Sequence, residues 1–477
     1  MQLTVGFDLD LTLIDPRPAV VAVAGQLAVE EGVAIDAALW ASRLGPPLEH
    51  ELAHWVAPSR VGPAADRYRA LMAQSSHLIS LLPGASEAVA AVRASGGRAV
   101  VVTAKSDALA RQALESLGVQ VDAVVGWRWA EAKADALREH GATVYVGDHP
   151  GDVRAARAAS ATCVGVTTGG EPPVGADVLL DDLTSFPAWF ADHLLDARLA
   201  ALEASLQEVG GLLVAFSGGA DSAFLLAAAA RALGPDRVVA ATAVSPSLAA
   251  EELPAAQAFA ASLGVRHVTP QTDELAREGY VANGPDRCFH CKATLLDTLR
   301  PLAASLDLPA VATGTNADDA VAGFRPGISA AAQRGAVTPL LDAGLTKAQV
   351  RQASRRWGLA TADKPALACL ASRIAYGISV TPSGLARVDR TERALRAHLG
   401  AVTHLRVRDL GEGRARVELD ADALARCDEA ALDVVRAQGL VPVQVREFRS
   451  GSMNDALAAA GAGSAQQAEQ RHAQPDR

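Results

Sequence analysis

The sequence predicts an α/β protein: two successive parallel-sheet units followed by a small α+β unit. Three observations predict it. Over residues 1–192 short apolar runs alternate with amphipathic helical stretches, the pattern of strands joined by crossover helices. The alternation restarts at "LLVAFSGGADSAFLLAAAARALG" and continues to about residue 375. Residues 402–449 then carry the period-two runs "HLRVRDL", "RARVELD" and "VPVQVREF" around one helix, as in a sheet with one solvated face.

In the first unit the strand-like runs are "QLTVGFDL", "RAVVVTA", "ATVYVGD" and "ATCVGVTT". Between the first two, residues 17–82 read as wholly helical, a candidate cap over the sheet edge. "LLDARLAALEASLQEVGG" reads as a helix ending at paired glycines. The expected organisation is 1–192, a linking helix over 193–211, a second α/β domain over 212–378 and an α+β subdomain over 379–454. Residues 455–477 lack a core-forming pattern and are expected to be disordered. No internal repeat is visible.

At 477 residues, with half of them hydrophobic and 21% charged, the chain reads as globular. A net charge of −10 argues against a broad nucleic-acid surface, which needs clustered Lys and Arg. No apolar run reaches membrane-spanning length and no export signal is visible, so the expected location is the cytoplasm. In that reducing setting neighbouring cysteines bind metal or take part in chemistry more often than they form disulfides. A homo-oligomer is expected.

"FDLDLTLID" places Asp8 and Asp10 just after the first strand. Thr103 ends "AVVVTA", Lys133 lies in "AEAKADAL", and Asp148 and Asp152 lie in "VYVGDHPGD". A parallel sheet would collect these groups at its carboxyl edge. Carboxylates there bind Mg²⁺, one carboxylate attacks phosphorus, a neighbour handles the proton, and Lys and Thr neutralise phosphoryl oxygens. In motif, order and spacing the set resembles the haloacid dehalogenase (HAD) phosphatase superfamily. The resemblance implies that Asp8 is the nucleophile and Asp10 the general acid/base, with Thr12 fixing the loop. It also implies that Thr103 and Lys133 hold the phosphate, and that Asp148 and Asp152 join Asp8 and Asp10 at Mg²⁺. "HELAH", His50 to His54, matches a zinc-protease pattern but lies in the helical insert without a third ligand, and is read as a solvated helix face.

"LLVAFSGGADS" is a strand, a glycine turn and a helix start without a Walker lysine. Ser217, Gly218, Gly219, Asp221 and Ser222 offer backbone N–H groups, hydroxyls and a helix N-terminus to an anion. SGG-x-DS after a buried strand resembles the PP-loop of ATP pyrophosphatases, which implies ATP as a ligand. Together with "NGPDRCFHCK", "GTNADDAVAGFRPG", "KPALACLASRIAYG" and "FRSGSMN" in that order, it resembles the LarE family over about residues 200–455. That resemblance implies an ATP-dependent sulfur transferase of nickel-pincer nucleotide biosynthesis. Such an enzyme adenylates a carboxylate of pyridinium-3,5-biscarboxylic acid mononucleotide and converts it to a thiocarboxylate. Sulfur would come from Cys369 itself, leaving dehydroalanine, or from exogenous sulfide at an iron–sulfur cluster.

Cys288 and Cys291 alone suit zinc, a redox pair or a cluster. A closed zinc site wants four ligands and there is no second C-x-x-C. Cys163 lies in the first unit, Cys427 in a stretch read as a packing helix, and His290 would ligate only by an awkward backtrack. By family position Cys369 is the third ligand, and three cysteines without a fourth suit a [4Fe–4S] cluster with one open iron. The three-cysteine pattern resembles the cluster-bearing branch of the family, which is preferred to the sacrificial route. Arg325, Arg373 and Arg449 are candidates to neutralise the mononucleotide. Asp318 and Asp319 suit Mg²⁺ binding or helix capping. The rival readings are a tRNA-thiolating PP-loop enzyme and a HAD half that serves only for docking.

Overall fold

The computed structural model describes residues 3–321, 326–365 and 368–449; Arg325 and the expected disordered tail lie outside them. The chain divides into two compact units, Met1–Asp196 and Ala197–Arg477.

The first unit is built on a six-stranded sheet. Its members are β1 (Thr4–Phe7), β4 (Arg98–Val102), β5 (Ala123–Val125), β6 (Ala142–Gly147), β7 (Thr162–Val166) and β8 (Val178–Leu180), in the order β5-β4-β1-β6-β7-β8. Every pairing in it is parallel. The four inner strands are the runs the periodicity predicts, and they are apolar because helices cover both faces of such a sheet. The edge strands β5 and β8 have three residues each, too few for periodicity to register. β2 (Ile14–Asp15) and β3 (Ser80–Leu81) pair antiparallel at the base of the inserted segment. Residues 17–82 are therefore not wholly helical. The helices Arg17–Glu31, Ala37–Ser42, Leu48–Leu52 and Val61–Gln74 leave and return through a short hairpin, which brings both ends of the insert to the end of β1.

In the second unit β9 (Leu212–Ala215), β10 (Val238–Ala241), β11 (Arg266–Val268) and β12 (Ala310–Thr313) form a parallel sheet in the order β11-β10-β9-β12. β9 is central, so the loop after it opens where neighbouring strand ends diverge. β13 (Leu405–Asp409), β14 (Arg414–Leu419) and β15 (Val441–Glu447) make a separate three-stranded sheet. β13 pairs antiparallel with β14, and β14 parallel with β15. Two helices, Ala421–Ala425 and Glu429–Ala437, cross between β14 and β15 where the sequence suggested one. The break has a local cause: Asp428 accepts from the Ala431 N–H at 2.9 Å and starts a second helix. Cys427 lies in that break, partly buried against the small core.

Among the described residues, no helix is long and apolar enough to cross a membrane.

Candidate active sites

The ends of β1, β4 and β6 converge. β1 delivers Asp8 and Asp10, β4 delivers Thr103, and β6 delivers Asp148. Lys133 is the first residue of the helix Lys133–Glu139. Asp152 is fixed by a capping box: it accepts from the His149 N–H at 3.0 Å, and the Gly151 N–H donates to His149 Nδ1 at 3.0 Å. The Lys133 ammonium stands 3.0 Å from Asp8 Oδ1 and 2.7 Å from Asp152 Oδ1. The Tyr145 hydroxyl also donates to Asp152 Oδ1, at 3.2 Å. Thr12, which the resemblance placed in the loop, donates to Asp148 Oδ1 at 3.0 Å. Thr103 is buried, and its hydroxyl oxygen accepts from the Lys105 N–H at 3.2 Å.

The carboxylates crowd one another. Burial pushes the Asp8 carboxyl up to about 7; Lys133 opposes the rise and Asp152 adds to it. Asp148 is pushed up to about 8 by burial, then by the charges of Asp8 and Asp152. Burial disfavours the charge on Lys133, yet Asp152 and Asp8 together hold it above the usual lysine range. Oxygens of Asp8, Asp148 and Asp152 lie within 4.8 Å of one another. One lysine facing three buried carboxylates is a deficit of positive charge that a hard divalent cation fits.

Gly147 makes this packing possible, since a Cβ there would stand 2.4 Å from Asp152 Cγ. Gly147→Ala is expected to push Asp152 off Lys133 and weaken Mg²⁺ binding by about tenfold or more. The Mg²⁺ dependence of phosphate release and the thermal midpoint would both report it.

In the second unit, Gly218 takes φ +71° and turns the chain between β9 and the helix Ala220–Leu233. The Ser217 and Ser222 hydroxyls lie 3.1 Å apart, and the Ser222 hydroxyl also donates to the Gly219 carbonyl at 3.1 Å. Gly314, just past β12, packs so closely that a Cβ would reach 2.8 Å from the Ser222 N. Two lysines contact the turn, and a third lies on the helix that bears Cys291. Lys364 donates to the Gly218 carbonyl at 2.9 Å, Lys347 pairs with Asp221, and Lys292 lies beside Cys291. A cavity of about 420 Å³ is lined by Ser217, Gly219, Asp221, Ser222, Cys291 and Cys369, and all three lysines border it.

Cys288 and Cys291 sit in the first two turns of the helix Arg287–Ser305. Cys369 and Cys288 are exposed and Cys291 half-buried. Burial, then Cys369, Glu274 and Cys288, push the Cys291 thiol up to about 12. Among the described residues the one set gathered tightly enough for a single ion is Asp8, Asp148 and Asp152. The three thiols are not part of that set.

The model of the haloacid dehalogenase-like hydrolases matches residues 5–166. The plasmid phosphoglycolate phosphatase of Cupriavidus necator is 32% identical over 219 residues, 40% of this chain and 93% of that protein. The pyridinium-3,5-bisthiocarboxylic acid mononucleotide synthase of Lactiplantibacillus plantarum is 33% identical over 269 residues, 55% of this chain and 96% of that one. The chain belongs to the haloacid dehalogenase-like hydrolases and to the LarE family. The uncharacterized protein slr1717 of Synechocystis is 44% identical over 226 residues, 47% of this chain and 82% of that protein.

In the LarE unit the remaining motif residues do structural work that the sequence did not disclose. Asn283 is fully buried and donates to the carbonyls of Ala375 and Ile378 at 2.8 and 2.9 Å. Arg287 donates to the Ala371 carbonyl at 2.9 Å. These bonds pin the segment bearing Cys369 to the helix bearing Cys288 and Cys291. Arg373, expected to meet substrate, is buried instead. Its Nε and Nη2 donate to Glu392 at 3.0 and 3.2 Å, and its Nη1 donates to the Ala368 and Cys369 carbonyls. Neither Arg373 nor the exposed Arg449 borders the cavity. His290 faces Asp286 at 3.1 Å. Asp319 borders the cavity and accepts from the Asn316 N–H, while Asp318 accepts from the Lys347 N–H.

In the HAD unit the sequence missed Lys105, whose ammonium stands 3.1 Å from Asp10 Oδ2. Two residues after Thr103, it was legible only as one more lysine past a strand. Asp10 lines a cavity, and its Oδ1 is buried without a hydrogen-bond partner among the described residues. His50 and His54 stack edge to face at 5.4 Å, while Glu51 is taken by Arg43 and Trp55. They supply no third ligand.

Proposed function

We propose that this chain joins a Mg²⁺-dependent phosphatase to an ATP-dependent sulfur transferase that makes a thiocarboxylate on pyridinium-3,5-biscarboxylic acid mononucleotide. The observation that carries the second half is one cavity bordered by both the glycine turn and Cys369.

In the HAD unit, Asp8 Oδ attacks the phosphorus of a monoester. The ester P–O bond breaks, and Asp10 gives its proton to the departing oxygen. Water then attacks the phospho-aspartate, returns a proton to Asp10 and releases inorganic phosphate. Lys133 and Thr103 neutralise the phosphoryl oxygens. Asp8, Asp148 and Asp152 would hold Mg²⁺, which when bound offsets the charge gathering on those oxygens.

In the LarE unit, a substrate carboxylate oxygen attacks the α-phosphorus of ATP, and the bond to the β-phosphate breaks. The turn at Ser217–Ser222, with Lys347 and Lys364 beside it, retains the pyrophosphate. Hydrosulfide as co-substrate then adds to the acyl carbon, and AMP leaves with the bonding pair. Cys288, Cys291 and Cys369 would hold a [4Fe–4S] cluster, which when bound offers an iron position for sulfide. The alternative source is Cys369 itself. Its thiolate would displace AMP to form a thioester; loss of a proton from Cα then cleaves the S–Cβ bond, leaving dehydroalanine.

The test is anaerobic purification, iron and acid-labile sulfide analysis, and one round with ATP, mononucleotide and sulfide. Pyrophosphate and thiocarboxylate are the expected products. No pyrophosphate release with this substrate would overturn the assignment, and loss of the Cys369 sulfur from iron-free protein would select the sacrificial route.

A further inference from the structure

Three of the six tryptophans of the chain, Trp40, Trp127 and Trp129, line one cavity of about 170 Å³ in the HAD unit. Asp8, Asp10, Thr103 and Asp148 line the same cavity. Trp40 is buried and stacks on Tyr68 at 5.2 Å, so packing among the insert helices accounts for it. Packing does not account for the other two. Trp127 is 52% exposed and Trp129 38%, unusual for the largest apolar side chain.

The loop that presents them is built at a cost. Trp127 takes φ +57° and Ala130 φ +47°, left-handed conformations that a bulky side chain rarely adopts. The loop is held by its own bonds to the catalytic edge. The Trp127 N–H donates to the Lys105 carbonyl at 3.0 Å, and the Arg128 N–H donates to the Thr103 carbonyl at 2.9 Å. The Gly126 N–H donates to Asp107 at 3.0 Å. The Arg69 guanidinium lies over the Trp127 ring, 4.7 Å from its centroid, and is itself anchored by Glu49. Two exposed indoles on one tethered loop, lining the cavity that Asp8 lines, offer a stacking surface to a planar ring.

The geometry points to a mononucleotide as the substrate of the hydrolase unit, with its phosphate at Asp8 and its base against Trp127 and Trp129. This rests on reading the Asp8 site as a phosphatase and adds the class of leaving group. A sugar phosphate without a base would leave both indoles in water. An aryl phosphate shares the ring but not the ribose between ring and phosphate.

The test uses the full chain with Mg²⁺ and four substrates: nicotinic acid mononucleotide, AMP, ribose 5-phosphate and p-nitrophenyl phosphate. The expected result is a kcat/KM for at least one mononucleotide about tenfold or more above that for ribose 5-phosphate. The double variant Trp127→Ala/Trp129→Ala is expected to erase that difference through KM. Equal kcat/KM with and without the base, or a preference for p-nitrophenyl phosphate, overturns the proposal while leaving the phosphatase intact. Hydrolysis of none of the four removes the phosphatase reading, and this inference with it. The comparison among substrates needs only the native protein, so it stands even if the double variant does not fold.

Discussion

Asp8→Asn is expected to lower Mg²⁺-dependent phosphate release by about 10³-fold or more, because an amide cannot attack phosphorus and nothing else in the site replaces it. The fold should survive. Asn keeps the shape of Asp8, and the change removes one of three mutually repelling buried carboxyls. Steady-state kinetics and a thermal melt together check this; retained hydrolysis in a folded variant would reduce the HAD unit to a docking module. The same crowding sets a pH dependence for the metal-free protein. Asp8 titrates near 7 and Asp148 near 8 in the folded chain, against an ordinary value of 3.8. The folded state thus keeps protons that the unfolded state has released. That contribution is fully present below about pH 4 and is lost as pH rises through 7 and 8. Denaturant midpoints in EDTA should therefore fall across this window for the first unit, and Mg²⁺ should restore more stability at pH 8 than at pH 5. Midpoints that rise with pH there would contradict the arrangement of Lys133 among the three carboxylates.

If the turn activates the carboxylate and the thiol delivers sulfur, Cys369→Ser is expected to abolish thiocarboxylate formation while leaving ATP- and mononucleotide-dependent pyrophosphate release. If both steps fail in a folded variant, the cavity does not divide the work in this way. Cys288→Ala and Cys291→Ala separate the sulfur sources further. Both should strip iron from the anaerobic protein and end sulfide-dependent turnover if a cluster is used. Neither should prevent a single turnover if Cys369 is consumed. The bonds from Asn283, Arg287 and Arg373 to the chain around Cys369 predict that the loop stays in place in all three variants.

Three members of the HAD-like set were legible because they follow an apolar run. Asp8, Thr103 and Asp148 sit one residue past β1, β4 and β6, and a parallel sheet brings equivalent strand ends together whatever lies between them. The glycine turn was legible for the same reason after β9. Lys105, Lys292, Lys347 and Lys364 were not, since a lysine carries no periodicity and its reach depends on folded neighbours. Arg373 misled because a charged residue near a cysteine motif reads as a substrate contact. Its burial against Glu392 depends on the helix Pro382–Leu399 folding over it. The edge strands β5 and β8 and the β2–β3 hairpin escaped notice because two or three residues show no alternation.

What the amino-acid order determined alone was local: which runs are strands, where glycine turns follow them, and which carboxylates, hydroxyls and thiols stand at those turns. Side-chain alternation, helix capping and the conformational freedom of glycine act over a few residues, so these features are written in short stretches. Only the tertiary structure decided that Cys369 and the turn at Ser217–Ser222 border one cavity, that Arg373 braces rather than faces it, and that two exposed tryptophans line the same cavity as Asp8. Those facts depend on contacts between segments far apart in the chain, and such contacts exist only after the core has packed.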